Sequence, residues 1–595
     1  MKNINMKTIN RLCLFGSIFI LLFIIECDPL NKENLTAIGA SDVWGNSAVA
    51  GAYVTDIYAN FMPSTFTSSR NTDETMGINS DYSGSLSDYL KGTLTSDTYN
   101  DFPYDNIRKI NIFIDGIDKA TFAQDIINSL KGQALFWRAW AYFRMVKAYG
   151  GVELILKPAP PDNKDALFVP RNKTSECITQ ILKDLDDAIS LVEDKSSDGH
   201  IDKCVAKSFK GRVLLYWASP QFNRTNDVSR WTDAYNANKD ALTFLNSQGK
   251  GLYDKYREIW LDEMNKEVIM VKRYQYPSFA NGYDQACNRP LLYARGCVGS
   301  NVPSLELVNA YPMKDGSKYD PATMDYRKFF QNRDKRFYGS IAYNGAAPFI
   351  APMFGNENMW TYYYDSDGNP ATGINGKEAR ADNNSDFGAY AENLFSNSGF
   401  YPAKMLDQTI TRTNVEDGQV DWIEMRYAEV LMNMAEAANE IGKTSEALDV
   451  LYQIRQRADI DAGINGHYGI TATTVPEIRK AIMDERFVEF AFEGKRFWDL
   501  RRWRIYSSTF NNFKNKFFHG LRIEWNGTTA NRPRLLTDIN TIWDQFTVTE
   551  IQDYLPIVML DEDKYSFFGI PKSILDRNSK VEQNIAWGGT FDPLN

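Results

Sequence analysis

The strongest constraint on the fold is a pair of apolar stripes in the last third of the chain. The first stripe, at steps of four, three, four and three residues, consists of Tyr427, Leu431, Met434, Ala438 and Ile441. After a two-residue break at Gly442 and Lys443, the second consists of Ala447, Leu451, Ile454 and Ala458. This spacing is that of one helix face. Two amphipathic helices with so short a turn bury their stripes against each other. The sequence predicts an antiparallel helical hairpin, with helical periodicity beginning at Ile423.

Other helical segments are predicted on both sides of the hairpin. Those before it are residues 44–58, 104–117, 122–149, 175–192, 202–218 and 231–245, and one after it covers residues 477–492. Gly150 and Gly151 end the third of these segments, and Thr174 or Ser175 can cap the fourth. In residues 249–420, glycine, asparagine, aspartate and aromatic residues alternate with short strand-like runs at 268–272 and 360–364. The fold class is therefore mainly α, with a loop-rich insertion of irregular structure and short strands.

The N-terminus has the form of an export signal. Lys2, Lys7 and Arg11 precede an almost wholly apolar run at residues 12–25, and the chain then turns polar. At 14 residues the run is shorter than the ~20 that a membrane-spanning helix needs. Cys27 directly follows, as in a bacterial lipoprotein, and is the predicted lipidation site. Glu26 stands where a small residue is usual, so ordinary cleavage nearby stays open as an alternative.

Composition excludes several classes of function. The formal net charge of -10 gives no general attraction to nucleic acid, so no nucleic-acid partner is expected. The three histidines, His200, His467 and His519, are too widely separated for a His-rich metal site or a His-dependent triad. No metal and no cofactor is predicted. Cysteines 177, 204, 287 and 297 could oxidise outside the cytoplasm, but their pairing stays open.

These features divide the chain into five predicted regions. They are a signal peptide at residues 1–26, a tether at 27–43, an N-terminal helical region at 44–248, the loop-rich insertion at 249–420, and a C-terminal region with the hairpin at 421–595.

Short segments in a fixed order along nearly the whole chain resemble the SusD/RagB family of Bacteroidetes outer-membrane nutrient-binding lipoproteins. They include YDNIRKIN from Tyr104, GQALFWRA from Gly132, MRYAEVL from Met425 and GKRFWDLRRW from Gly494. The resemblance implies tetratricopeptide-like helix pairs packed into a curved scaffold. It also implies that the Arg, Glu and Trp residues between Glu493 and Trp503 are scaffold residues rather than ligand contacts. Arg426, Glu429 and Glu436 are expected to pair with Arg455, Arg457, Glu485 or Arg486.

The resemblance also implies a function. It indicates a lipoprotein tethered at the outer membrane through Cys27 and exposed at the cell surface. Such a protein captures an oligosaccharide and passes it to a SusC-like TonB-dependent transporter without catalysis. An oligopeptide-binding member of the same system is one alternative. A secreted glycoside hydrolase is the other, with acid/base pairs drawn from Asp184, Asp186, Asp187, Glu485 and Glu489. We expect these carboxylates to lie on solvated helix faces instead.

Two stretches supply the side chains that a sugar site needs, namely aromatic faces for the C–H side of the ring and polar groups for hydroxyls. The loop at residues 68–101 contributes the predicted ligand contacts Arg70, Asp73, Tyr82, Tyr89 and Tyr99. The segment at 356–365 contributes Trp360, Tyr362 and Tyr364, which share one face if the segment is a strand. The alternative is that this face is half-buried core.

Overall fold

The computed structural model describes residues 40–63, 71–76, 87–158, 163, 168–196, 198–282, 288–289, 301–346, 358–365, 378–381, 396, 398–533, 537–553, 556–558 and 562–595. The helices of these residues are α1 Ala40–Gly45, α2 Ser47–Phe61, α3 Tyr104–Ile117, α4 Gln124–Tyr149, α5 Thr174–Leu191, α6 Lys203–Ala218, α7 Val228–Ser247, α8 Leu305–Ala310, α9 Lys335–Ser340, α10 Tyr427–Glu440, α11 Thr444–Arg457, α12 Val475–Glu489, α13 Arg496–Arg502, α14 Tyr506–Asn511, α15 Glu562–Ser566 and α16 Lys572–Arg577.

The strands are short by comparison. They are β1 Thr75–Met76, β2 Val268–Lys272, β3 Val302–Pro303, β4 Ile341–Ala342, β5 Tyr363–Asp365, β6 Glu378–Arg380, β7 Tyr401–Pro402, β8 Trp422–Arg426, β9 His519–Trp525 and β10 Phe546–Gln552. Strands β10, β9, β5 and β6 form a four-stranded sheet in that order, and the other pairs are β1–β3, β2–β8 and β4–β7. The β9–β10 pair is antiparallel, with Phe546 opposite Trp525, and β5 lies parallel to β9.

Consecutive helices pack as pairs and form the scaffold. Helix α4 packs on α5, α6 on α7 and α10 on α11, while α10 also packs on α7 and α12. Helix α4 is central, since nearly every residue from Gly132 to Tyr149 is buried, and it ends at Gly150 with a φ of 81°. The mainly α, helix-pair architecture predicted from the sequence is confirmed.

The prediction that helical structure begins at Ile423 is wrong. Residues Trp422–Arg426 form strand β8, which pairs antiparallel with β2, and α10 begins at Tyr427. The Tyr427 N–H donates to the carbonyl of Glu267, so the chain leaves the β2 edge as the helix starts. Trp422, Ile423 and Met425 are all buried. When both faces of a segment are buried, its apolar residues follow neither the spacing of a helix nor the alternation of a strand. Pairing with the neighbouring strand therefore decides that the segment is a strand.

The cap of α5 also differs from the prediction. Lys173 occupies the N-cap, and its N–H donates to the Glu176 carboxylate at 3.2 Å. The Thr174 hydroxyl instead donates to the carbonyl of Pro593 at 2.8 Å. Thr174 therefore fixes the C-terminal residues rather than the start of the helix.

A second contact also joins the start of α5 to the C-terminal residues. Arg171 donates from Nη1 to the Glu582 carbonyl at 2.8 Å and to Asn584 Oδ1 at 2.9 Å. Its guanidinium also lies 3.5 Å from the centroid of the Phe591 ring. We call the Arg171 and Thr174 contacts with residues 582–593 the terminal clasp.

Two large apolar cores lie under these elements. The larger is formed mainly by the helices of residues 43–245 and 425–581. The second joins residues 256–423 to Val488, Phe492, Leu521 and Phe546, among others from the C-terminal region. The loop-rich insertion thus shares its core with the C-terminal region.

Cys177 and Cys204 are buried free thiols, while Cys27, Cys287 and Cys297 lie outside the described residues. Among the residues described, none of the helices combines the length and the apolar character that a bilayer span requires.

Candidate functional site

A cavity of about 530 Å³ opens between the end of α2, helices α4 and α6, strand β8 and the α12–α13 connection. Its size lies within the usual range of small-molecule sites. Ten of its 25 lining residues are aromatic. A larger cavity of about 800 Å³ beside α12 has two aromatic residues among 20. Because aromatic faces are what a sugar site needs, we take the smaller, aromatic cavity as the candidate site.

One face of α4 forms a wall of this cavity. Trp140, Phe143, Arg144 and Lys147 line it, and their spacing of three, one and three residues places them on a single helical stripe. Trp140 and Phe143 are buried, whereas Arg144 and Lys147 are half-buried. The stripe therefore runs from an apolar floor to a cationic rim.

Aromatic rings from two distant parts of the chain meet at the opposite side. Tyr99 and Trp498 are half-buried, and their rings meet edge to face with centroids 5.9 Å apart. Behind them Tyr99 stacks on Phe568 at 4.7 Å, and Tyr89 packs edge to face on Phe497 at 5.4 Å. The buried rings hold the two half-buried rings in place at the cavity wall.

Most charged groups of the lining are paired with each other or with a neighbour. Arg144 forms a bidentate pair with Asp101, at 2.8 Å and 3.0 Å. Arg212 contacts Glu424 at 2.8 Å and Glu429 at 2.6 Å. Lys495 lies 3.2 Å from Glu429, and Arg486 lies 2.9 Å from Asp499. These pairs keep the polar wall rigid.

The ion pairs also determine the protonation of the lining carboxylates. Burial alone would raise the pKa of Glu429, but Arg212 and Lys495 outweigh burial and hold the pKa well below its ordinary value. The pKa values of Glu424, Glu493 and Asp499 are lowered in the same way by adjacent cations. All four are therefore ionised hydrogen-bond acceptors at neutral pH.

Lys147 differs from the other cations of the lining. Its Nζ lies 4.0 Å from the centroid of the Trp498 ring and forms no ion pair or hydrogen bond with any described residue. Burial lowers the pKa of Lys147 to about 7, only partly opposed by the charge of Glu424.

The structure places two of the predicted ligand contacts, Tyr89 and Tyr99, at this cavity. Asp73 is buried and forms a bidentate pair with Arg496, at 2.6 Å and 2.8 Å, so its carboxylate fixes the start of α13. Arg70 and Tyr82 lie outside the described residues.

The second predicted set lies elsewhere, in the core that the insertion shares with the C-terminal region. Trp360 and Tyr362 are 5% and 1% exposed and pack against Phe546. The Tyr362 hydroxyl donates to the Pro533 carbonyl at 2.6 Å. These two rings fit the core alternative that the sequence left open. Tyr364 is half-buried, with the Arg532 guanidinium 3.8 Å from its ring centroid. The strand itself is shorter than the predicted run, covering Tyr363–Asp365.

Sequence reasoning missed Trp498 and Lys147 as site residues. Trp498 lies within the GKRFWDLRRW segment and was assigned to the scaffold; Arg502 and Trp503 of that segment do bind the buried Glu436, whereas Trp498 lines the cavity. Lys147 ends the mostly apolar stripe of α4. The sequence shows this lysine on the stripe, but it indicates a site residue only once α4 is known to face a cavity.

The carboxylates considered for catalysis are not all solvated as expected. Asp184 is fully buried against Arg138, and Glu485 and Glu489 are buried against Arg336 at 2.7 Å and 2.9 Å. Asp186 and Asp187 lie on the surface, as predicted, and there they pair with lysines. A buried carboxylate is tolerated only with a partner, and the distant sequence positions of these arginines concealed the pairing.

The expected partners of the hairpin residues also differ. Arg426 binds Glu267, Glu489 and Glu493. Glu429 pairs with Arg212 and Lys495, and Glu436 pairs with Arg502. The hairpin is thus tied mainly to elements outside it.

Comparison with known proteins gives a consistent result. The model of the SusD family matches residues 259–587, more than half of the chain, and a second model, described as starch-binding associating with outer membrane, matches residues 41–215. Two SusD-like proteins of Formosa agariphila, P38 and P2, are 24% and 23% identical over 62% and 64% of this chain. The matched region spans 65% of the length of P38 and 67% of that of P2.

Solved structures share the fold over nearly the whole chain. A SusD-like protein from Bacteroides fragilis is 25% identical with a TM-score of 0.72, covering 92% of this chain and 98% of its own. A SusD-like carbohydrate binding protein from the same species is 19% identical with a TM-score of 0.68, covering 90% of this chain and 99% of its own. A laminarin binding SusD-like protein is 17% identical with a TM-score of 0.59, covering 91% of this chain and 99% of its own.

Proposed function

This chain belongs to the SusD family, and from that premise we propose that it binds an oligosaccharide at the cell surface and delivers it to a SusC-like TonB-dependent transporter of the outer membrane. The proposed ligand site is the aromatic cavity. The observation that carries the proposal is the meeting of Tyr99 and Trp498 beside Arg144 and Lys147. Half-buried rings offer a face to the apolar side of a sugar, and the charged rim offers partners for its hydroxyls.

A binding role fits the lining better than hydrolysis does. A glycoside hydrolase needs one carboxyl with a raised pKa as general acid beside a second, ionised one. The four carboxylates of the described lining, Glu424, Glu429, Glu493 and Asp499, all have lowered pKa values and are fixed by cations. Incubating the protein with a glycan that it retains tests this point, because release of reducing ends would contradict a binding role.

The relatives favour a glycan over a peptide. One solved relative is described as carbohydrate binding and another as laminarin binding. Affinity electrophoresis in gels that contain polysaccharide separates the two ligand classes, since retardation by a glycan excludes a purely peptide-binding role. Binding of a peptide library together with unchanged mobility in every glycan gel would favour the oligopeptide alternative.

The same proposal includes anchoring through Cys27, which lies outside the described residues. Labelling cells with a radioactive fatty acid tests it: the wild-type chain should take up label, and Cys27→Ala should not. An unlabelled wild-type chain in the soluble fraction would contradict the anchor. Co-purification of a TonB-dependent transporter with the tagged protein tests the partner separately.

Trp498→Ala tests the site itself. We expect the affinity for the retained glycan to fall at least about tenfold, because truncating an aromatic anchor removes roughly 2 kcal/mol of binding energy. Trp543→Ala is a matched control. Trp543 is also half-buried and has the Lys328 Nζ 4.0 Å from its ring centroid, but it lies outside the cavity.

Both variants should be measured by calorimetric titration and by thermal melting. Lost affinity in Trp498→Ala with a melting temperature close to that of Trp543→Ala supports the site. Equal affinity of the wild-type protein and both variants would place the ligand outside this cavity.

A further inference from the structure

The aromatic cavity has unsatisfied hydrogen-bond donors. Within the described lining, the two buried polar atoms without a partner are Trp140 Nε1 and Asn433 Nδ2, and both are donors. The orientation of Asn433 is fixed, because its Oδ1 accepts a hydrogen bond from Arg486 Nη1 at 2.9 Å. Asn433 is 1% exposed and Trp140 is 5% exposed. A buried donor without an acceptor costs free energy, so a ligand that brings acceptors gains affinity here.

Lys147 adds a positive charge to these donors. Arg144, Arg212, Arg486 and Lys495 each have a carboxylate partner, whereas Lys147 has none among the described residues. Trp140 and Lys147 lie seven residues apart on one face of α4, which corresponds to about 10 Å along the helix. The donors therefore extend over the length of the wall rather than meeting at one point.

We infer that the ligand of this cavity is an acidic oligosaccharide, with carboxylate or sulfate groups that bind Lys147 and accept hydrogen bonds from Trp140 on α4 and Asn433 on α10. The inference rests on the proposed function, that is, on glycan binding at this cavity. Lys147 Nζ lies over one face of Trp498, 4.0 Å from the ring centroid, so a sugar at the edge or the other face of this ring has its acidic substituent within reach of the ammonium. Carboxylate and sulfate oxygens are acceptors without a competing donor, which matches the unsatisfied groups.

The overall charge of the protein opposes this ligand and so makes the test informative. With a formal net charge of -10, the chain has no general attraction for a polyanion. At 0.15 M salt, charges beyond about 8 Å are largely screened. Retention of an acidic glycan under these conditions therefore reports local contacts.

The first experiment compares three probes by affinity electrophoresis at 0.15 M salt: a neutral β-glucan, polygalacturonate and a carrageenan. Retardation by polygalacturonate or carrageenan, but not by the β-glucan, supports the inference, and the two acidic probes distinguish a carboxylate from a sulfate ligand. Retardation by the β-glucan alone overturns the inference and leaves the proposed function standing. Unchanged mobility in all three gels overturns the inference, whereas the proposed function fails only if no glycan is retained.

The second experiment tests Lys147 with the acidic probe that is retained. Lys147→Met should lower the affinity about 10- to 100-fold, the usual value of a charge-assisted hydrogen bond, and Lys147→Arg should retain most of it. Lys328→Met is the control, since Lys328 also lies 4.0 Å from a tryptophan ring centroid but outside the cavity. Equal affinity of Lys147→Met and wild type would overturn the inference.

The pH dependence gives an independent readout. Burial is the main reason that the pKa of Lys147 is about 7; of the charged groups around it, Glu424 on β8 and Asp101 before α3 raise the pKa, and Arg212 on α6 and Arg144 on α4 lower it. An acidic ligand requires the ammonium form, so its affinity should fall about tenfold from pH 6 to pH 8. Lys147→Arg should abolish this fall. A fall of the same size in Lys147→Arg would assign the titration to another group and count against the inference.

Discussion

Asp184 and Asp187 lie three residues apart on α5, yet we expect a large loss of stability when Asp184 is replaced by asparagine and a small one when Asp187 is. Asp184 is fully buried and accepts two hydrogen bonds from Arg138, at 2.7 Å from Nε and 2.6 Å from Nη2. Asp187 is 46% exposed and pairs with the exposed Lys183. Asp184→Asn leaves the Arg138 guanidinium buried without a counter-charge, whereas Asp187→Asn removes a pair that water largely screens.

The magnitudes follow from burial. Removing one partner of a buried ion pair costs about 3–5 kcal/mol, because the remaining charge stays desolvated. Arg138 keeps a hydrogen bond to Asn111 Oδ1 at 3.1 Å, which places the expected cost toward the lower end. An exposed pair contributes about 0–1 kcal/mol. The two asparagine variants should therefore differ by at least about 2 kcal/mol in the free energy of unfolding.

Urea denaturation followed by far-UV circular dichroism measures this difference, provided that the slopes of the transitions agree. A double variant, Arg138→Met with Asp184→Leu, separates lost contacts from an uncompensated charge, because replacing a buried pair by apolar residues is often close to neutral. The double variant should be more stable than Asp184→Asn. If Asp184→Asn and Asp187→Asn have the same midpoint, the assignment of Asp184 as a buried structural charge is refuted.

Two further predictions concern buried groups near the candidate site and in the second core. Burial raises the pKa of Glu74 to about 7, although the Phe492 N–H and the Thr72 hydroxyl donate to it. The folded protein then binds this proton more tightly than the unfolded chain, so the free energy of unfolding should fall between about pH 4.5 and pH 7, by up to about 1.4 kcal/mol per pH unit. Glu74→Gln should remove this contribution from urea midpoints measured across that range; an unchanged pH profile would contradict it. Tyr362→Ala should cost about 3–5 kcal/mol of stability, as for a large core residue, and leave glycan affinity in the folded fraction unchanged. Lost affinity without lost stability would instead restore Tyr362 as a ligand contact.

The local sequence pattern was sufficient to predict those helices and strands in which the spacing of apolar residues shows which face is buried. Residues 104–117 and 268–272 were predicted with the bounds that α3 and β2 have, since each has a clear apolar pattern and well-defined ends. Residues 422–426 were not, because β8 pairs with β2, whose residues lie at least 150 positions earlier in the chain. A pattern that fits two structures is decided by contacts that the segment itself does not contain.

The same limit applies to the candidate site. Tyr89 and Tyr99 were predicted because aromatic residues in a polar loop usually make ligand or core contacts, and both line the candidate cavity. Trp360 and Tyr362 belong to the same residue class, but their neighbours are Trp525 and Phe546, from strands far along the chain. Lys147 was missed because its significance depends on Trp498, which reaches the same cavity from 351 positions later. Residue type alone identified candidate ligand contacts. Only the tertiary contacts show which of these residues line the cavity and which are buried in the apolar core.

The terminal clasp has a consequence for how the molecule is made. Its contacts join residues more than 400 positions apart, so the first helical layers lack their final partners until synthesis is nearly complete. Folding by stepwise addition as the chain emerges cannot finish such a structure, because closing so long a loop comes before the contacts that reward it. An emerging N-terminal half therefore keeps apolar surface exposed until the last residues arrive, and exposed apolar surface is what makes partly folded chains prone to aggregation.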